Sequence, residues 1–160
     1  MEKPLTVKDV MTKNVISVYP ETTVLQAHET ISSHRFSGLP VVDNGDHVIG
    51  IITQQDLLSR GSGIHLPTLQ KFFAELPVYK KDSKEFKKEI YELSRLTVKQ
   101  IMNPDPLTIS QNASLQEMVD MFREHSKINP IPVVDKDNKL VGIISRSDAL
   151  KLFYVIKLTQ

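Results

Sequence analysis

Two short segments of the chain carry side chains that suit a phosphorylated ligand. They read Thr53-Gln-Gln-Asp56 and Ser145-Arg-Ser-Asp148, and each follows an apolar run that ends in Gly-Ile-Ile. A strand that leads into a helix places unpaired N–H groups and partial positive charge at the helix start, which favours a phosphate. The hydroxyl adds a donor, and the carboxylate three residues later is suited to accept hydrogen bonds from a ribose diol.

The same pairs are also ordinary helix caps, because a hydroxyl at a helix start and an acidic residue three positions later satisfy backbone N–H groups. The two roles are compatible, and both stay open. The segments differ at one position, where Arg146 in the second corresponds to Gln54 in the first. Because a guanidinium binds phosphate as a forked donor, we expect the second segment to favour phosphorylated ligands more strongly.

An internal repeat contains both segments. Residues 6–58 and 97–150 share their order of motifs, with PVVD and GII in both copies and one extra residue before PVVD in the second. In each copy the apolar pattern predicts a short extended run, an amphipathic helix, two strands around a turn, and a short closing helix. The predicted fold class is therefore α+β, with the order β-α-β-β-α occurring twice.

Capping signals and apolar spacing locate the longer predicted helix of each copy. Ser114 with Glu117 is a capping-box signature in the second copy, and Thr22 or Thr23 is suited to the first. The apolar helix faces consist of Val24, His28 and Ile31 in the first copy and of Leu115, Met118 and Phe122 in the second.

The predicted boundaries are 1–60 for the first repeat, 61–96 for an insertion and 97–160 for the second repeat. The insertion has apolar residues at helical spacing, which predicts two short helices. A repeat of about 55 residues buries too little surface to be stable alone, so we expect the copies to pack as a pseudo-twofold pair. The helical faces left over favour a homodimer.

The repeat resembles the CBS domain, named for cystathionine β-synthase. The likeness lies in the leads VKDVMT and VKQIMN, in LPVVD and IPVVD, and in GIITQQD and GIISRSD. It implies clefts between the two copies that bind AMP, ADP, ATP or S-adenosylmethionine, and a module that reports ligand occupancy to a separate regulated protein. It also implies that Thr53, Asp56, Ser145 and Asp148 contact phosphate and ribose.

The resemblance further assigns residues of the lead and strand segments to an apolar slot for the base. In the first copy these are Thr12, Ile16, Ser17, Gly38, Leu39 and Pro40. In the second copy they are Asn103, Leu107, Thr108, Asn129, Ile131 and Pro132. The copies differ here, since Thr12 is replaced by Asn103 and the extra residue precedes Ile131.

Composition and motifs argue against several other classes of function. Twenty basic residues oppose nineteen acidic ones, which gives no general attraction to nucleic acid or anionic membrane. The chain has no cysteine, its histidines lack metal-ligand spacing, and no nucleophile with an adjacent base is evident. We therefore expect a protein that is not an enzyme and requires no cofactor or metal. The apolar runs are too short to span a bilayer and no signal peptide is evident, so we expect a cytoplasmic location.

Two hypotheses from different classes remain. The first is a sensor whose ligand shifts the population between arrangements of the two copies, which a partner protein then reads. The second is a ligand-free scaffold for dimerisation or protein interaction.

Overall fold

The structure is a computed structural model that describes residues 4–59 and 94–150, together with Lys88 and Tyr91. Nearly all of the predicted insertion lies outside the described residues. The first repeat contains α1 (Val7–Val10), α2 (Val24–His34), β1 (Gly38–Val42), β2 (Val48–Thr53) and α3 (Gln54–Ser59). The second contains α4 (Val98–Ile101), β3 (Ile109–Ser110), α5 (Leu115–Glu124), β4 (Ile131–Val134) and β5 (Leu140–Ile144). The helical residues 146–150 are named α6.

The α+β class and the repeated order of elements are confirmed. β1 and β2 are neighbours in one sheet, and β3, β4 and β5 follow in this order in another. β3 pairs with β4 in parallel through Ile109 and Val133. Val18 and Val41, at the matching positions of the first repeat, form a parallel bridge. The predicted extended runs therefore lie beside the predicted strands in both repeats.

Hydroxyl residues begin the two longer helices. The Thr23 hydroxyl accepts the N–H of Gln26 at 3.2 Å, and the Ser114 hydroxyl accepts the N–H of Glu117 at 3.2 Å. The predicted capping box at Ser114 is confirmed, and Thr23 rather than Thr22 caps α2. The one-turn helices α1 and α4 were not predicted. Their signal is nevertheless present in the sequence as Thr-x-x-Asp and Thr-x-x-Gln, and both begin with capping boxes.

The buried faces follow the apolar pattern with two exceptions, of which one is Leu115 of α5, a partly buried residue that packs against the core. Met118 and Phe122 of α5 are buried as predicted, and in α2 Val24 and Ile31 are buried together with Ala27. His28, predicted on that face, is only partly buried. The neighbouring residue, Ala27, is the one that packs inward, and the His28 imidazole therefore lies at the rim of the buried face.

The described chain forms two compact units that exchange the leads of the repeats. The described part of the first unit consists of 4–17, 42–49 and 105–150, and that of the second consists of 18–41, 50–59 and 94–104 with Lys88 and Tyr91. The lead of the first repeat therefore packs with the body of the second. The boundaries 1–60, 61–96 and 97–160 stay a prediction, and each packing unit combines segments of both repeats.

Backbone bonds and burial fix the two leads in their units. In the first unit the Val7 N–H donates to the Ala113 carbonyl at 2.9 Å, and the fully buried Val7 joins a core with Met118, Ile131 and Ile144. In the second unit the Val98 N–H donates to the Thr22 carbonyl at 2.8 Å. The apolar first residue of each lead helix thus holds the lead in place by burial.

Candidate functional site

β2 and β5 deliver the two candidate segments to the starts of α3 and α6. The Thr53 hydroxyl donates to Asp56 Oδ2 at 2.7 Å, and the Thr53 N–H donates to the same oxygen at 3.0 Å. The Ser145 hydroxyl and N–H donate to Asp148 Oδ2 at 2.7 and 3.0 Å. Each hydroxyl accepts the Asp N–H in return, at 3.3 Å. We call these pairs the first box and the second box, and all four residues are partly buried.

The two boxes have the geometry of helix caps. The same reciprocal pattern begins α1, α2, α4 and α5, where no ligand role is predicted. In the Ser114 box of α5, for example, the hydroxyl donates to Glu117 Oε2 at 2.8 Å. Capping is therefore a role that both pairs perform in this structure, and a ligand at either box has to share or replace the hydroxyl–carboxylate bond.

Arg146 is bonded to the end of α5. Its backbone N–H donates to Asn129 Oδ1 at 2.9 Å. Its Nη2 lies within hydrogen-bond distance of the carbonyl oxygens of Phe122, His125 and Ile128, at 3.1, 3.0 and 3.4 Å. The guanidinium carbon stands 5.3 Å from the centroid of the Phe122 ring, which adds a cation–π contact. We predicted a phosphate contact for this side chain, and the structure engages it with backbone carbonyls.

Gln54, at the position of Arg146 in the first repeat, also hydrogen-bonds to backbone carbonyls near the preceding helix. Its Nε2 donates to the Phe36 carbonyl at 2.8 Å, and its N–H donates to the Ser37 carbonyl at 3.1 Å. In both repeats, the first residue of the closing helix therefore reaches the chain just beyond the preceding helix. Asn129 Oδ1 caps α6 by accepting the N–H of Arg146, and its place at the base slot stays a prediction.

The lead residues are exchanged between the boxes. Thr12 and Ile143 exchange N–H···O=C bonds of 3.0 and 2.9 Å, and Ile143 lies two residues before Ser145. Asn103 and Ile51 exchange bonds of 2.9 and 3.0 Å, and Ile51 lies two residues before Thr53. The contact of either residue with a base stays a prediction, and the pairing shows which box each residue lies near. Thr12 accompanies the second box, and Asn103 accompanies the first.

The remaining predicted site residues differ in their burial. Leu39 and Ile131 are 1% and 0% exposed, so their side chains belong to the core and only their backbones remain to face a ligand. Ile16 is exposed, the partly buried positions are Ser17, Leu107 and Thr108, and the buried ones are Gly38, Pro40 and Pro132.

Other features of the described chain bear on the class of site. No group of three or more His, Asp or Glu residues is placed to hold a metal ion within the described ranges. None of the helices in those ranges combines the length and apolar character needed to cross a membrane.

The fold and the duplicated box define a tandem-repeat protein of α+β class, in which each repeat ends as a strand followed by a capped helix. The CBS domain family matches residues 7–63 and 98–154, so the chain belongs to the CBS domain family.

Similar proteins include CBS domain-containing proteins and a larger enzyme. The chain is 32% identical over 158 residues to the CBS domain-containing protein CBSX1, chloroplastic, of Arabidopsis thaliana, which covers 95% of this chain and 65% of that protein. The crystal structure of CBSX2 from the same plant in complex with AMP has 28% identity and a TM-score of 0.71, covering 95% of this chain and 98% of that one. Since CBSX1 is named as chloroplastic, the cytoplasmic location stays a prediction.

Inosine-5'-monophosphate dehydrogenase of Methanocaldococcus jannaschii is 29% identical over 143 residues. That match covers 89% of this chain but 22% of the enzyme. It therefore lends no support to a dehydrogenase activity in this chain.

Proposed function

We propose that this protein is a ligand-sensing module that binds an adenosine-type nucleotide, with AMP as the first candidate, and signals its occupancy to a separate protein. The observation that carries the proposal is the similarity, over nearly the whole chain, to CBSX2 in complex with AMP. ADP, ATP and S-adenosylmethionine remain the other candidates, since the family resemblance implies them too.

The chemistry of the boxes supports a nucleoside ligand. A carboxylate offers about four lone-pair sites, so one that accepts a backbone N–H and a hydroxyl has further capacity for a ribose hydroxyl. Partial burial strengthens such hydrogen bonds by excluding competing water. Asp56 and Asp148 are thus suited to hold a ribose while still capping their helices.

The signal in this proposal is a shift of population and includes no chemical step. A ligand that binds one conformation more tightly than another favours the first by the difference in its binding free energies. A partner that recognises the favoured conformation then responds to nucleotide concentration. The box residues act by binding, and the protein recovers its ligand-free state when the nucleotide dissociates.

The test is calorimetric titration of the purified protein with AMP, ADP, ATP and S-adenosylmethionine, repeated with Asp56→Ala and Asp148→Ala. We expect saturable binding of AMP, and a loss of about tenfold or more in affinity at the altered box, as for removal of hydrogen bonds to a ligand. The double variant Asp56→Ala/Asp148→Ala should show no saturable binding.

Glu117→Ala is the matched control. It breaks a box of the same geometry at the start of α5, where the Ser114 N–H donates to Glu117 Oε2 at 2.7 Å. We expect a lower melting temperature with unchanged AMP affinity. If the double Asp variant binds AMP as tightly as the unaltered protein, the boxes are not the site.

The scaffold hypothesis is the second candidate, and the recurrence of the box at α1, α2, α4 and α5 favours it, since capping alone accounts for Asp56 and Asp148. It predicts no heat of binding with any of the four ligands up to millimolar concentration. It also predicts that Asp56→Ala and Asp148→Ala change stability alone, as Glu117→Ala does.

A further inference from the structure

We propose that Arg146 is a positioning residue that fastens the second box to the C-terminal turn of α5, and that it does not bind the ligand's phosphate. The proposal rests on the proposed function in placing a nucleotide at Ser145 and Asp148. The connection between Arg146 and α5 stands on the contacts of the protein alone.

α5 ends without the left-handed residue that closes α2. Helices commonly end with a residue in the left-handed conformation, whose neighbours satisfy the last carbonyls. α2 ends in this way: Arg35 has a φ of 56°, and the N–H groups of Phe36 and Arg35 donate to the carbonyls of Ile31 and Ser32 at 2.9 and 3.3 Å. The C-cap residue of α5 is His125, which has a φ of −110°, and its carbonyl accepts the Ile128 N–H at 3.0 Å.

The Arg146 side chain adds a donor at the C-terminal turn of α5. Its Nη2 is placed among the carbonyls of Phe122, His125 and Ile128, so one cationic group satisfies the region that the left-handed cap satisfies in α2. A cation at a helix C-terminus also interacts favourably with the helix dipole. The extra residue of the second repeat lies in the same segment, between α5 and β4. In the second repeat, the helix ending without a left-handed residue therefore occurs together with the arginine. In the first repeat, α2 ends with a left-handed residue, and Gln54 stands at the position of Arg146.

Turning Arg146 towards a phosphate would remove this donor from the three carbonyls and break the contact with the Phe122 ring. A phosphate that took Nη2 would therefore have to replace charge-assisted hydrogen bonds and a ring contact that the protein already makes. The preference of the second box for AMP over adenosine should therefore not depend on Arg146. Movement of the Ser145–Asp148 segment on ligand binding should instead pass to the last turn of α5.

The experiment compares Arg146→Gln and Arg146→Lys in an Asp56→Ala background, in which the second box is read alone. Affinities for AMP and for adenosine are measured by calorimetry. We expect Arg146→Gln to weaken both ligands by the same factor, about tenfold, so that their ratio stays within twofold of the parent. Arg146→Lys, which retains the charge and loses the planar fork, should also leave the ratio unchanged. Gln54→Ala is the matched control and should affect neither ligand at the second box.

Hydrogen exchange of the ligand-free protein tests the connection independently. We expect Arg146→Gln to raise exchange at the amides of residues 122–128 and 145–150 together, by about tenfold, and Gln54→Ala to leave both segments unchanged. Unchanged exchange at 122–128 would overturn the positioning role.

A ratio of AMP to adenosine affinity that falls tenfold in Arg146→Gln and is restored in Arg146→Lys would identify Arg146 as a phosphate ligand and overturn the proposal. If the unaltered protein binds no nucleotide, the proposed function fails, and the exchange experiment still decides whether Arg146 fastens α6 to α5.

Discussion

Thr12 and Ile143 exchange two backbone hydrogen bonds, of 3.0 and 2.9 Å, although they belong to different copies of the repeat. Asn103 and Ile51 form the reciprocal pair. Each lead therefore runs beside the strand that delivers the other copy's box. The residues around either box therefore come from both repeats. Thr12 belongs to the first repeat but lies near the second box, and Asn103 belongs to the second repeat but lies near the first box.

The first prediction concerns this exchange. In an Asp56→Ala background, where the second box is read alone, Thr12→Ala should weaken AMP binding by about three- to tenfold, the usual effect of one lost hydrogen bond. In an Asp148→Ala background, Thr12→Ala should have no effect, because the first box is accompanied by Asn103. Calorimetry on the four proteins checks this, and the reverse pattern would show that each lead serves the box of its own copy.

Local elements were predictable because their causes are local. β-branched apolar runs such as Ile131–Val134 mark buried strands, and hydroxyl residues followed by Glu or Asp mark helix starts. The boxes themselves were found by the same reasoning. The start of α1 has the same signature, since Thr6 and Asp9 form a capping box, although this helix was not predicted.

Partner choice over long distances was not predictable. The leads beginning at Val7 and Val98 have the same apolar pattern, so either would fit either core, and only tertiary packing decides between them. Arg146 is a similar case: its acceptors lie 18 to 24 residues away, and no local pattern reveals them. The sequence favoured a phosphate contact because a guanidinium is able to bind phosphate, and the sequence does not show the direction of the side chain.

A second prediction follows from the close approach of methionine to a strand glycine. A Cβ added at Gly50 would lie 2.6 Å from Met102 Sδ and 3.1 Å from the Asn103 carbonyl oxygen. Gly50→Ala should therefore destabilise the protein by about 1–3 kcal/mol, as overpacking does. Adding Met102→Ala removes the sulfur but leaves the backbone oxygen, so the double variant should regain part of this loss.

Urea unfolding of the parent, both single variants and the double variant measures the coupling. A double variant whose loss equals the sum of the two single losses would show that Met102 is not the obstacle. Gly142, whose added Cβ would meet Met11, offers the same experiment in the other unit.

The third prediction concerns acid stability and the two hairpin turns. Backbone N–H groups of His47 and Gly45 donate to Asp43, with His47 giving the largest effect, and they hold the pKa of that carboxyl below its ordinary value of 3.8. The N–H groups of Lys139 and Asp137 likewise lower the pKa of Asp135. A lowered folded-state pKa means that the stabilisation is present above about pH 4 and is lost as pH falls through the folded pKa.

Asp135→Asn keeps an oxygen acceptor and removes the charge, so its melting temperature should fall less steeply than that of the parent below pH 4. Between pH 5 and 7 the carboxylate is ionised in both the folded and the unfolded state, so protonation of Asp135 itself adds no pH dependence to the difference between the two proteins there. Thermal melts from about pH 2.5 to about pH 7 check this, because that range extends to both sides of the ordinary aspartate pKa. Melting temperatures that run parallel in the two proteins at every pH would show that Asp135 does not contribute.

The last prediction concerns self-association. Val119, Phe122, Ala149 and Leu150 line an open groove between α5 and α6, where Val119 and Leu150 are 36% and 59% exposed. Exposed apolar side chains grouped in this way are typical of interaction surfaces, and closed dimers are the commonest assembly. We therefore expect a homodimer in solution, and expect Val119→Glu to shift it towards monomer by at least tenfold in dissociation constant. The introduced glutamate stands four residues before Arg123, a spacing that modestly favours the helix. Sedimentation equilibrium measures the constant.

Leu5→Ser, at a residue 58% exposed and outside the groove, is the control, and an equal shift in that variant would show that the groove is not the interface.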